Sequence, residues 1–223
     1  MKNYKYLDII TVLFVTVLII SNIVSTKIID LWLFVFDAGT IIFPLSYIFG
    51  DVLTEVYGYK ISRKVIWLGF LSCVLMSAII IIVWYLPPAA GRNYQQDYMN
   101  ILGMTPRIVG ASLMAYFVWE FSNSFILAKM KIWTKWKHLR TRTIWSTLIG
   151  ESLDTVIFVL VAFWWALPNT LIVALIVSNY VFKVGVEVVF TPLTYKIVNF
   201  LKKRENEDYF DYNTDFNPFL IKK

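Results

Sequence analysis

The chain has 223 residues, 58% of them hydrophobic and 16% charged, with a mean hydropathy of +0.64, where a soluble domain carries about a quarter charged residues. Apolar runs of about 20 residues recur along the whole length, which excludes a soluble fold and leaves no room for a separate catalytic domain. The formal charge of +6 then reads as cationic anchors at a membrane surface rather than a nucleic-acid footprint, and a single cysteine, Cys73, excludes an internal disulfide.

The first apolar run, Leu7 to about Val24, follows Lys2 and Lys5 and continues into Ser25-Thr26-Lys27. No small-x-small cleavage site follows it, so it is expected to remain as the first span. Residues 28–36 are β-branched and aromatic, too short to span, and stop at Asp37-Ala38-Gly39; they predict an extended or hairpin-like outer connection. The second span is expected from about Thr40 to Tyr57, with Pro44 in its first turns. The third runs from about Val65 to Leu86 and ends at Pro87-Pro88, before a polar loop from Ala89 to Pro106. The fourth is about Ile108 to Met130, followed by a cation-rich loop from Lys131 to Arg142. The fifth is about Ile144 to Leu167 and the sixth about Thr170 to Ile197, with Asn169 as N-cap and Pro192 as a kink. This predicts an all-α membrane protein with one six-helix domain over residues 1–204. A short polar tail, 205–223, is expected to be loosely held.

Orientation follows from the cations. Nearly all Lys and Arg fall on the segments that share a side with the N-terminus, while Lys27, Arg92 and Arg107 fall on the other. That bias places both termini in the cytoplasm.

Polar side chains at membrane depth are the informative feature: Asp51, Glu55, Glu120, Asn123, Glu151, Asp154, Asn179, Lys183 and Glu187. A charge at the bilayer centre costs about 2.5–3.5 kcal/mol on translocon scales, so these residues need a packed, wet or paired environment. At 1.5 Å per residue, Asp51 lies roughly 16 Å from the outer end of its span, Glu120 roughly 18 Å and Lys183 roughly 20 Å. Glu151 and Asp154 enter from the inner end, at roughly 10 and 15 Å. Four helices thus bring polar groups to the middle and inner half of the core, the pattern of a shared cavity. Asp51 and Glu55, four apart, share a face, as do Glu151 and Asp154. Lys183 and Glu187 are four apart with opposite charge and are expected to neutralise each other. Glu151 and Asp154 have no cation within their own span; the nearest in sequence are Lys137 and Arg142 in the loop before it.

Trp84, Trp133, Trp136, Trp164 and Trp165 read as an interfacial belt. Phe43, Tyr47 and Trp119 lie within two turns of Asp51 or Glu120, where aromatic walls and carboxylates would suit a flat, polar heterocycle. His138 is the sole histidine and sits in the basic loop, so no zinc or haem ligand set is available. No phosphate-binding Gly-rich loop is present either, and no cofactor is expected.

Three stretches carry a family resemblance. Gly39 to Tyr59 reads GTIIFPLSYIFGDVLTEVYGY, Arg107 to Ile132 reads RIVGASLMAYFVWEFSNSFILAKMKI, and Thr141 to Phe163 reads TRTIWSTLIGESLDTVIFVLVAF. Together they resemble the queuosine precursor transporter family, also described as vitamin-uptake-transporter-like, over nearly all the chain from Ser21-Asn22 to Lys183. The resemblance implies a six-helix bacterial inner-membrane importer of 7-deazaguanine bases, similar in fold to the substrate-binding subunits of energy-coupling-factor transporters. Carried over by motif, the implied site positions are Asn22, Phe43, Tyr47, Asp51, Glu120, Asn123, Ser146, Glu151, Asp154 and Lys183; Trp119 joins them from the reading of the residues themselves. Some members have an aspartate at the position of Asn123 and an amide at that of Glu120 or Glu151. A guanine-like ring offers adjacent N–H donors that one carboxylate can accept as a pair, a role open to Glu151 or Asp154.

The expected partners are a purine-like small molecule and the lipid bilayer, with no nucleic acid; a homo-oligomer is compatible, and any energy-coupling partner is open. Two other readings are a binding subunit that needs a separate ATP-driven module and a regulatory membrane protein. A third, an intramembrane enzyme, lacks a nucleophile–base pair or a metal-ligand set.

Overall fold

A backbone inside a bilayer must satisfy its own polar groups, and the long apolar stretches of this sequence do so as helices. The computed structural model describes residues 4–31, 34–91, 94–133, 139–164, 168–212 and 214–219. The side chains of Ile28, Asp30, Leu31, Phe34, Val35, Glu120, residues 139–144, Ser146, Thr147, Phe163 and Leu171 lie outside that description. So do Arg92, Trp136, Lys137, His138 and Trp165, and the side chain of Arg142.

The described elements are α1 (Leu7–Val24), β1 (Ile28–Leu31), β2 (Phe34–Asp37), α2 (Gly39–Ile42), α3 (Pro44–Tyr57), α4 (Tyr59–Trp84), α5 (Gln95–Leu102), α6 (Thr105–Trp133), α7 (Leu139–Phe163) and α8 (Asn169–Glu205). Among the described residues, five helical stretches are long and apolar enough to cross a membrane: α1, α2 with α3, α4, α5 with α6, and most of α8. The other long helix is α7, of 25 residues, which carries Glu151 and Asp154. Large apolar side chains face outward on α1 (Val12, Leu13), α4 (Leu71, Leu75, Ile82) and α8 (Val173, Val177, Val189). Contiguous apolar surface on this scale needs lipid around it. Among the described residues the chain is an all-α membrane protein apart from the β1–β2 hairpin.

That hairpin matches the expected extended connection: β1 and β2 pair antiparallel, Ile28 opposite Asp37. It is held down by Phe36, which is buried and lies 4.8 Å from the Phe182 ring on α8. Pro44 opens α3 at its first position, where the missing N–H costs no helical bond. Two glycines set the geometry around α3. Gly58, at φ 84°, breaks α3 from α4, and a Cβ there would lie 2.2 Å from the Tyr209 ring. Gly150 on α7 lies under Trp119 of α6, where a Cβ would meet the indole at 2.6 Å. That close approach seats α7 on α6.

Three expectations need correction. Residues 95–102 form the short helix α5 instead of part of a loop, with Gln95 donating to the Trp84 carbonyl. The last helix continues to Glu205, beyond Ile197, as one 37-residue rod with Pro192 inside it. Its end is capped by Asn206 in the left-handed conformation. The tail is also firmly docked. Glu205 accepts the N–H groups of Lys5 and Tyr6, capping the start of α1. Asp211 accepts the Tyr59 N–H at the start of α4, Arg63 donates to the carbonyls of Asp215 and Asn217, and Trp67 donates to that of Pro218. Phe216 and Phe219 pack on the rings of Tyr59, Trp67 and Phe117. Composition makes this segment look loose, but its aromatics and carboxylates find backbone and ring partners at the helix ends.

Candidate functional site

Helices α3 and α6 run side by side, and their facing residues form successive rungs, the last reaching α4. The first rung is aromatic: Tyr47 and Trp119 have ring centroids 3.8 Å apart, with Phe43 at 5.3 Å and Tyr116 at 6.4 Å from Tyr47. The second is polar, with Asn123 donating to Asp51 Oδ1 at 2.9 Å. The third joins the hydroxyls of Thr54, Ser62 and Ser124 at 3.0 and 3.1 Å.

Against the aromatic rung, α7 and α8 bring charge. The Lys183 ammonium contacts Asp154 Oδ2 directly, donates to Tyr47 Oη at 3.1 Å, and lies 3.8 Å from Glu151 Oε2. Tyr47 in turn donates to Asp154 Oδ2 at 3.0 Å. Lys183 also sits over the faces of Phe43 and Tyr47, 5.4 and 5.7 Å from their centroids. This corrects the expected pairing with Glu187: the carboxylates that neutralise Lys183 are on the neighbouring helix. Sequence spacing registers neighbours on one helix and is blind to those across an interface.

Both hydrogen bonds of Asp154 fall on Oδ2, leaving Oδ1 for a ligand. Asp154, Lys183, Phe43 and Phe158 line a cleft that continues through Thr40, Asp37 and Ser25 to the hairpin end of the bundle. Asp37 lines this cleft and is missed by sequence reasoning. It accepts from Ser25 Oγ at 2.7 Å and from both N–H and Oγ1 of Thr40. Its signal is an Asp three residues before a Thr at a helix start. The room left in the cleft for the centre of a water-sized sphere is about 20 Å³, which holds about one water. A heterocycle can enter only if side chains or helices at this end move.

Among the described residues, several buried polar atoms near the site have no hydrogen-bond partner: both carboxylate oxygens of Glu151 and the Trp119 Nε1–H, with Thr155 Oγ1 and Asn179 Oδ1. Glu151 is 0% exposed. Buried polar atoms are almost always satisfied, so such a group marks a place where a ligand, a water or a proton belongs.

The structure therefore brings together Phe43, Tyr47, Trp119, Glu151, Asp154 and Lys183. It places Asp51 and Asn123 one turn deeper as a pair of their own. Asn22 stands apart on α1, donating to the Leu18 carbonyl and facing Cys73 Sγ of α4 at 4.0 Å. The side chains of Glu120 and Ser146 lie outside the described residues. Among the described residues no group of His, Cys, Asp and Glu could hold a metal ion.

The chain is 26% identical over 176 residues to a probable queuosine precursor transporter of Bacillus subtilis (strain 168), covering 78% of this chain and 77% of that protein. It is also 26% identical over 172 residues to a queuosine precursor transporter of Escherichia coli (strain K12), covering 74% of each. No solved structure matches it. The family model described as a putative vitamin uptake transporter matches residues 37–197, a stretch that contains every member of the aromatic and charged cluster, and the chain belongs to that family.

Proposed function

We propose that this protein imports 7-deazaguanine precursors of queuosine across a bacterial inner membrane, with six spans and both termini in the cytoplasm. The reading takes α7 as the fifth span in chain order, completing six with the five apolar stretches, its two carboxylates made tolerable by Lys183. Family membership and the names of the two relatives support transport of such bases. The observation that carries the site assignment is Asp154, which makes both its internal bonds through Oδ2 and lines a cleft with Phe43 and Phe158 beside a buried ammonium.

The chemistry is complementary. A guanine-type edge presents adjacent N–H donors next to a carbonyl oxygen. Asp154 has the lone pairs of Oδ1 left for one donor, and Oδ2 can accept the second as its internal bonds give way. Lys183 supplies the N–H for the carbonyl, and the ring planes stack against the aromatic walls. Each polar group of the site has a counterpart on the base, so binding exchanges internal bonds for bonds to substrate instead of burying bare charge. The energy-coupling-factor likeness belongs to this proposal as an expected architecture.

The test is uptake of a labelled 7-deazaguanine base by cells unable to make queuosine, read as queuosine in tRNA. The wild-type protein should support uptake. Asp154→Asn, which replaces two acceptors by one acceptor and a donor, should lose at least about tenfold, the cost of one charge-assisted bond. No uptake from inserted wild-type protein, or undiminished uptake by Asp154→Asn, would overturn the assignment.

A further inference from the structure

We propose that Glu151 carries a proton that moves with the substrate, making the protein a proton symporter; this rests on the import reading above. The argument is a count of charge and of bonds. Asp154 and Glu151 share one ammonium, Lys183, and only Asp154 is bonded to it directly. With both carboxylates ionised, the triad would hold one uncompensated negative charge, fully buried and with neither Glu151 oxygen accepting a hydrogen bond. One bound proton removes that charge, and Glu151 is the place for it.

The surroundings agree from every packed side. On its own helix Glu151 faces Asp154; from α3 it faces Tyr47, and from α8 Lys183, which Asp37 approaches from the hairpin end; Glu187 lies one turn further along α8. From α6 comes Trp119, whose indole lies against Gly150. The side chain of Glu120 is outside the described residues. Among the described residues, Lys183 is the single cation in this set.

Position separates the two carboxylates by role. Asp154 lines the cleft, and Glu151 lies three residues before it on α7, away from the hairpin end and outside the cleft lining. When a base satisfies Asp154 with its own N–H donors, Lys183 is freed to move the short distance to Glu151. When the cluster then opens to water at the end carrying the termini, that water solvates the extra negative charge, the Glu151 O–H bond breaks and its proton leaves there with the base. The rungs Asp51–Asn123 and Thr54–Ser62–Ser124 continue in that direction. Lys183 keeps its protons, and Glu151 is reloaded from the hairpin side once the base has left. One proton crosses with one base, and neither oxidant nor reductant is needed.

The experiment uses the full chain in proteoliposomes with the membrane potential clamped, labelled 7-cyano-7-deazaguanine as a neutral probe, and a pH dye inside. Base addition should acidify the lumen. A gradient of one pH unit, acid on the hairpin side, should support about tenfold accumulation, equivalent to about 1.4 kcal/mol. Glu151→Gln, similar in shape but unable to titrate, should lose both the acidification and the accumulation, leaving slower equilibration of the base. Wild-type uptake with no acidification and no response to the gradient would overturn proton coupling and leave the import reading standing. No wild-type uptake under any gradient would overturn both. The wild-type arms decide the matter even if Glu151→Gln fails to fold.

Discussion

Two clusters of charge lie on the same stripe of α3, one at Tyr47 and the other at Glu55, roughly 12 Å apart along the helix, and they are built in opposite ways. At the end carrying the termini, Glu55 and Asp208 meet Lys131 and Lys202. Lys202 lies 2.8 Å from Glu55 and 2.9 Å from Asp208, and Lys131 lies 2.7 Å from Asp208. Lys131 also donates to the carbonyls of Glu55 and Tyr209. Two acids face two bases, and a folded-back tail completes the set. In the centre, among the described residues, Asp154 and Glu151 face the one base Lys183, and neither oxygen of Glu151 accepts a hydrogen bond. The balanced cluster holds helices and tail in one arrangement. The unbalanced one can take up a proton and offers a carboxylate oxygen to a ligand. On the proposed reading, buried charge serves cohesion in one place and exchange in the other, and the difference lies in the count of partners, not in depth.

The largest test of this contrast is removal of the central cation. Lys183→Met leaves Asp154 and Glu151 facing each other without an ammonium. Breaking a buried pair costs about 3–5 kcal/mol when the remaining charge stays ionised. Base uptake should vanish, and thermal unfolding in detergent should shift down strongly unless the buffer is acid enough to protonate both carboxylates. A variant as stable and active as wild type would show that the central triad is no more than packing.

Lys131→Met makes the matching change in the other cluster, and a smaller effect follows. Glu55 and Asp208 keep Lys202, while the carbonyls of Glu55 and Tyr209 lose their donor. The expected cost is about 1–3 kcal/mol for the groups left unsatisfied. It should appear as faster proteolysis of residues 206–219 with base uptake retained. Loss of uptake with an undisturbed tail would reverse the roles given to the two clusters.

Much of the centre is legible in the amino-acid sequence because membrane depth makes polarity conspicuous. Asp51, Asn123, Glu151, Asp154 and Lys183 stand out in apolar stretches, and a 1.5 Å rise places them at similar levels. The pairing between them is not legible. Asp51 and Glu55 share a helix face, yet one bonds to Asn123 and the other to two lysines on different helices. Lys183 shares a face with Glu187 and bonds across to α7. Such choices depend on helix packing, set here by contacts such as Gly150 under Trp119, which one sequence does not display. The tail is hard to read for a related reason. Its Asp208, Asp211 and Phe216 look like solvent-facing residues until the ends of α3, α4 and α6 provide Lys131, the Tyr59 N–H and a set of rings. The hairpin, by contrast, depends on local alternation and is readable.

The smallest effect sharpens the comparison through pH. Burial pushes the Asp208 carboxyl up, but hydrogen bonds from Lys131 and Lys202 outweigh it and hold the group below its ordinary value. An acid lowered in the docked state contributes stability that is present above its ordinary value, about 3.9, and is lost as pH falls through the docked value. Asp211 goes the other way. Burial raises it, in excess of the bonds from Thr214 and the Tyr59 N–H, so its charged form opposes docking and its protonation on acidification relieves that opposition. From neutral pH down to about 3.9 the Asp208 contribution is intact while protonation of Asp211 can only help, so the tail should stay fastened; below that the loss from Asp208 opposes the gain from Asp211. Hydrogen exchange of residues 206–219 should therefore remain slow down to strongly acid pH, then quicken. In Asp208→Asn the exchange should be faster at neutral pH and lack the acid-side rise. The change is modest because Asp208 is 32% exposed and its ion pairs are partly screened. A tail that loosened between pH 5 and 7 would instead place a titrating group in the balanced cluster, and the division between a cluster that binds protons and one that holds the fold would fail at its stable end.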